Sequence, residues 1–281
     1  MKKIIVSIRQ FCSNCFSILE AVFAVLIFSR FKNSRLGPQE KNKSSCYVLG
    51  NGPSLETFIH SYIRKKEDSI YVVNFFCLSE VFSKIKPNKY VFVDSSLYTD
   101  LEDERVISML DIFSKIDWSM TYYFPAHYSN SKFIKRLVSL GNPNLDLQSI
   151  NVTPVDGPLK FRNFIYRLKL GMPKCYNVLN ASLCCAINDG YQTIYIAGAD
   201  HSWLSQLFFD DKGNLCTRNE HFYHNNDQSM FIMPKGSLET GLFSFANALK
   251  SYRYINDYAN SEGVTIYNLC KQSYIDIFEK L

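Results

Sequence analysis

Apolar and polar positions fall into blocks along this chain. Residues 11 to 29 (FCSNCFSILEAVFAVLIFS) form a nearly uncharged run, broken by Asn14 and Glu20 and bracketed by Lys2, Lys3 and Arg9 before it and Arg30, Lys32 and Arg35 after it. That length just suffices to cross a bilayer. Glu20 near the middle, positive charge at both ends and no small-residue cleavage site point to a shallower association, interfacial or weakly spanning. A helix packed on the domain is the alternative. Residues 33 to 45 (NSRLGPQEKNKSS) are polar and contain Gly37-Pro38, which reads as a linker between an N-terminal helix at 1 to 32 and a body at 46 to 281.

The body repeats one pattern. Short apolar runs end in a polar residue, and segments with helical spacing follow. The runs are Tyr47 to Leu49, 70 to 76, 89 to 93, 119 to 124, Thr193 to Ala197 and Val264 to Asn268; the helical segments include 105 to 116, 176 to 189 and about 241 to 260. Residues 141 to 160, rich in Pro, Asn and Asp, read as a loop, and 201 to 240 as a long variable lid. Strands alternating with helices imply parallel βαβ units. The expected fold is therefore a single Rossmann-like α/β domain, a mostly parallel sheet flanked by helices.

Ligands of such sheets lie at the carboxyl ends of the strands. The polar residues there are Asn51, Asn74, Asp94, Asp200 and Asn268. Any one of them has a ready explanation as a turn cap. Five together describe a crevice rich in amides, which both donate and accept hydrogen bonds and so suit a base and ribose hydroxyls. The first strand runs into Gly50-Asn51-Gly52-Pro53-Ser54, where glycines permit close approach of the backbone to a phosphate or nucleoside and a helix opens behind. The turn is neither G-x-G-x-x-G, because Leu55 takes the third glycine position, nor a Walker loop. A turn that merely joins strand to helix is the alternative.

Composition narrows the classes. The 281 residues suffice for one large α/β domain with a sizeable core. A net charge of +5 suits an anionic substrate or membrane face and falls short of a nucleic-acid footprint. Nine cysteines, scattered apart from Cys12-x-x-Cys15 and the neighbours Cys184 and Cys185, read as reduced thiols of a cytosolic compartment, and no metal is expected at Cys12 and Cys15, which lack a second pair or His partners at zinc spacing.

The order of G-N-G-P-S-L after the first strand, Asn74 after the second, and G-Y-x-x-I-Y-x-x-G-x-D at 190 to 200 resembles the bacterial lipo-oligosaccharide sialyltransferases that use CMP-sialic acid. It resembles equally the 6-hydroxymethylpterin-diphosphokinase-like and flagellin-glycosylation proteins of related fold. The likeness covers 46 to about 275. It implies that Gly50, Asn51, Gly52, Ser54 and Asn74 hold the nucleotide, and that Gly198 and Asp200 hold ribose and base. Asp94 stands where the family has a further asparagine. Tyr176-Asn177-Val178-Leu179-Asn180 replaces the family's Arg-x-Thr-Ser-Gly.

The implied activity is an inverting, metal-independent sugar transfer from a CMP donor, sialic-acid-like, to a surface glycan such as lipopolysaccharide or capsule. No cofactor is implied beyond the donor. A lid histidine would be the base and lid tyrosines would hold the phosphate, which gives His221 as base, Tyr223 as phosphate donor and His224 as second candidate. His201 is an alternative nucleotide or acceptor ligand. The expected partners are the nucleotide sugar, an oligosaccharide or glycolipid acceptor, a membrane surface and a possible second copy, without nucleic acid, at the cytoplasmic face of the inner membrane. Asp210-Asp211-Lys212-Gly213-Asn214 reads as a hairpin turn rather than a metal site. The alternatives are a diphosphokinase using ATP and magnesium, or a non-catalytic nucleotide-binding assembly protein.

Overall fold

The apolar runs form parallel strands in a computed structural model that describes residues 2–33, 43–62, 65, 68–219 and 229–281. β1 (Lys43–Leu49), β2 (Ser69–Val73), β3 (Lys89–Val91), β4 (Met120–Pro125) and β5 (Leu145–Ile150) lie side by side in chain order. The chain then returns: β6 (Tyr191–Ala197) pairs with the opposite edge of β1. The segment after β6 supplies β7 (Leu207–Phe209), β8 (Leu215–Asn219) and β9 (Ser229–Ile232), a separate three-stranded antiparallel sheet. β10 (Thr265–Asn268) and β11 (Glu279–Lys280) extend the main sheet beyond β6. Every described pairing in this eight-stranded sheet is parallel.

The register puts Val48 opposite both Tyr71 and Ile196, so β1 is central and buried on both faces. That burial explains the apolar run 46 to 49 in its second half. The helices are α1 (Lys2–Phe28), α2 (Leu55–Ser61), α3 (Phe82–Ile85), α4 (Ser96–Thr99), α5 (Glu104–Ser114), α6 (Lys132–Ser139), α7 (Leu159–Arg167), α8 (Val178–Asn188) and α9 (Leu238–Glu262). On one face of the sheet, Cys46, Val48, Ile194 and Ile196 pack with α7, α8 and α9. On the other, Ile70, Val72, Tyr90 and Tyr122 pack with residues of α3, α5 and α6. All residues of α8 from Val178 to Ile187 are buried, as a helix apolar all round requires.

Two expectations need correction. Residues 141 to 160 are no loop: they hold β5, which pairs with β4 over six residues, and reach the first residues of α7. β5 is an edge strand, half-exposed along most of its length, so it never shows a continuous apolar run. The N-terminal helix does not stand apart from the body. Ala21 and Val25 belong to the core, and the Ser29 hydroxyl donates to Leu170 O at 2.5 Å and contacts Thr153 Oγ1 at 2.8 Å. Of the expected linker, Asn33 closes a 3-10 turn and 43 to 45 open β1, while 34 to 42 lie outside the described residues.

Candidate functional site

The strand order reverses at β1. Successive strands run one way from β1 to β5, and β6 starts the other side. Crossover helices therefore leave in opposite directions at the carboxyl ends of β1 and β6, which opens a crevice there. A cleft of ≈ 140 Å³ occupies this point, lined by Gly50, Asn51, Gly52, Asn74, Asn177, Asp200, His201 and Trp203 among others.

The glycines serve the packing of two turns against each other. Gly50 N donates to Ala197 O at 2.8 Å and Gly52 N to Gly198 O at 2.9 Å. A Cβ on Gly50 would meet Gly198 O at 2.3 Å, and one on Gly52 would meet Asp200 Oδ2 at 2.1 Å. Gly198 itself has φ +66° and faces Gly50 O. Both glycine amides are thus engaged by the β6 turn, not presented as a phosphate cradle.

Asp200 ties three strand ends together. Its Oδ2 accepts from Ser54 Oγ at 2.9 Å and Ser54 N at 3.3 Å, at the opening of α2. Its Oδ1 accepts from Cys270 Sγ at 3.5 Å, beyond β10, and its carbonyl accepts from Tyr274 N. The negative charge at that short helix opening is the chain's own carboxylate.

Asn51 and Asn74 both line this cleft. Asn51 Nδ2 donates to Val73 O at 3.3 Å, which leaves Asn51 Oδ1 buried and without a hydrogen-bond partner. Asn74 Oδ1 is likewise buried and unpartnered. Asn74 is held at φ +51° by its own Tyr90 contact, Tyr90 OH donating to Asn74 O. Left-handed backbone is tolerated by Asn better than by most residues. Both belong to residues lining one cleft, and groups that donate N–H or O–H are what these buried oxygens lack.

His201 is also left-handed, at φ +52°. Its Nε2 lies 2.8 Å from Tyr252 OH and 3.2 Å from Asn177 Nδ2, and Tyr252 OH donates to Asn177 Oδ1 at 3.0 Å. Burial pulls the imidazole down to about 3, so it is neutral. Trp203 lies against His201 and stacks on Phe245 at 5.5 Å.

The structure thus gathers Gly50, Asn51, Gly52, Asn74, Gly198, Asp200 and His201 around one cleft. Ser54 sits at its back, bonded to Asp200 and facing a second cleft with Thr57 and Tyr195. Asp94 is not brought in: it is exposed, and its Oδ1 caps the next turn by accepting from Ser96 N. Asn268 is fully buried, with Oδ1 accepting from Cys270 N. His221, Tyr223 and His224 lie outside the described residues. Asp210 closes the β7–β8 hairpin, its Oδ1 accepting from Lys212 N and Asn214 N. Asn177 and Tyr252 went unrecognised in the sequence. Asn177 was legible as a cap, since its side chain accepts from Asn180 N in a capping box, but its reach to His201 crosses 24 residues.

No protein-family model matches the chain, and no curated protein does. Among solved structures, it is similar to the sialyltransferase CstII from Campylobacter jejuni in complex with a substrate analogue, cytidine-5'-monophosphate. Identity is 15% over 87% of this chain and 86% of that one, with a TM-score of 0.45. It is also similar to the monofunctional alpha-2,3-sialyltransferase Cst-I from Campylobacter jejuni, at 14% identity over 87% and 82%, with a TM-score of 0.44.

Proposed function

We propose that this chain is a glycosyltransferase that takes its sugar, sialic-acid-like, from a CMP donor and passes it to a surface glycan by a single inverting displacement without a metal. The observation that carries the reading is the pair of orphaned oxygens, Asn51 Oδ1 and Asn74 Oδ1, at the switch point of the sheet. They match a nucleoside: the exocyclic amino group of cytosine and the ribose hydroxyls supply the donors these oxygens lack. A phosphate, which only accepts, would leave them unpaired. Asp200 is placed to accept from a ribose hydroxyl as well, on a carboxylate already oriented by Ser54.

In this reading the donor nucleoside sits against the β1 and β2 ends, and the leaving phosphate points toward the lid. His221 takes the proton of the acceptor hydroxyl, with His224 second, and Tyr223 donates to the phosphate as the bond to the sugar breaks. Neutral His201 orients the wall of the cleft through Tyr252 and Asn177 rather than carrying charge to the phosphate.

The test is thermal stabilisation of the full chain by CMP, CDP, UDP, GDP and ATP, with and without magnesium. A ligand that binds only the folded form raises its stability by mass action. Selective, magnesium-independent stabilisation by CMP is expected. Asn51→Ala and Asn74→Gly should each weaken CMP roughly fivefold, the loss of about one hydrogen bond. Glycine is chosen at 74 because it accepts φ +51° while removing the amide. Stabilisation by ATP only with magnesium, or by none of the five, would overturn the reading.

A further inference from the structure

Helix α1 is built inside out. The side that meets the body carries small or slender residues: Ala21, Val25 and Ser29 are buried, and Ser17 and Ala24 border the cleft beside them. The opposite side carries the large ones. Phe16, Leu19, Phe23 and Leu26 are each between 63% and 67% exposed, and Phe11 and Ile27 are exposed with them. A surface helix of a globular domain has the reverse arrangement. The adjoining residues 34 to 42 (SRLGPQEKN) contain one large apolar side chain, Leu36, too little to cover such a face.

Charge indicates what does cover it. Before residue 40 the chain carries Lys2, Lys3, Arg9, Arg30, Lys32 and Arg35 against the single acid Glu20. Glu20, in the middle of the apolar run, is exposed and lies one turn from both Phe16 and Phe23, at the edge of the Phe face. It borders a cleft of ≈ 260 Å³ with Lys174, Lys250 and Asp156, where Lys250 pairs with Asp156 at 2.6 Å. This one acid therefore sits at the rim of the apolar face, where the helix meets the basic side chains of that cleft. A second copy of this chain would bring the same excess of positive charge to the interface; an anionic phospholipid surface neutralises it.

We infer that α1 lies in the plane of one leaflet of an anionic bilayer, its Phe16, Leu19, Phe23 and Leu26 face in the acyl region, and does not span. Length decides between lying and spanning. From Ser17 to Ser29 the helix is docked on the body, a stretch of about 18 Å at 1.5 Å per residue. Residues 2 to 16 extend about 22 Å further and include Lys2, Lys3, Arg9, Gln10 and Asn14. A hydrocarbon core of about 30 Å cannot be crossed by that remainder, and the docked part cannot enter it upright without the body. This surface is separate from the nucleotide cleft, so the inference does not rest on the transferase reading.

The experiment uses the full chain with phosphatidylcholine vesicles, with and without phosphatidylglycerol. Flotation with the anionic vesicles is expected, and Phe16→Asp with Phe23→Asp should reduce partition at least tenfold while leaving the melting temperature in solution unchanged. Depth is read from a fluorophore on Phe16→Cys, Phe23→Cys or Ile27→Cys, with exposed Cys12 and Cys15 changed to Ser, against quenchers placed at known depths. All three positions should report the same shallow depth. Depths that run through the bilayer centre to the far side would overturn the inference in favour of a span. So would failure to float together with a concentration-dependent dimer that the Asp variant abolishes, which would assign the face to a second copy.

Discussion

Gly50 shows how much one missing Cβ can decide. An alanine there would place its methyl 2.3 Å from Gly198 O, a backbone atom fixed by β6, and 3.3 Å from the Leu179 side chain. The Leu179 side chain can shift, but the Gly198 carbonyl cannot. Gly50→Ala should therefore cost about 2–3 kcal/mol, at the upper end of ordinary overpacking, read as a lower urea midpoint. A wild-type midpoint in the variant would mean that the two turns are looser than their contacts. His201 makes a pH prediction of a definite sign. Its pKa falls from 6.5 in the unfolded chain to about 3 in the fold. Between these values the unfolded chain binds the proton and the folded one does not, so this group's contribution is complete above pH 6.5 and is lost as pH falls toward 3. Replacing it by Gln should flatten the acid decline of the urea midpoint, and a titrating His201 ring signal near 6.5 in NMR would refute the burial argument.

Among the elements, α7 and α9 are joined by a polar contact inside an apolar seam. The Arg162 guanidinium is buried, donates to Asp257 Oδ2 and to Gly157 O at 2.9 Å, and lies 3.9 Å from the Tyr254 ring centre. Removing a partner from a buried pair strands a charge, typically at 3–5 kcal/mol. Because the Asp257 side chain keeps 32% of its exposure, water offsets part of that. Asp257→Ala should destabilise by about 2 kcal/mol in denaturant melts, and Asp257→Asn by less, since the amide oxygen still accepts. The central elements were legible from pattern: β1, β2, β3, β4, β6, α5, α8 and α9 fall within a few residues of the periodic runs. β5, α6 and α7 were not. β5 has only exposed and half-buried positions and α7 mixes such positions with buried ones, so no single apolar face announces them.

At the scale of the molecule, the order of strands makes the site. Asn51 and Asn74 follow adjacent parallel strands, so their closeness is forced once β1 pairs with β2. His201 and Asp200 join them because β6 returns to the other edge of β1. α1 covers part of the body and turns its large side chains outward, on a surface separate from the cleft at the strand ends.

By itself the sequence determined what local chemistry determines. The apolar runs, their polar ends and the glycine turn set the parallel α/β class and the strand-end residues, because burial on both faces of a parallel strand writes itself directly into composition. The apolar helix between basic flanks was equally plain. Only the tertiary structure decided which strand ends meet, for strand order depends on contacts far apart in the chain. It left Asp94 exposed as a turn cap, brought Asn177 and Tyr252 to His201, and committed the Gly50 and Gly52 amides to a neighbouring turn. It also decided which side of α1 the body takes. Periodicity marks a helix with two kinds of face, and packing alone determines which of them is inside.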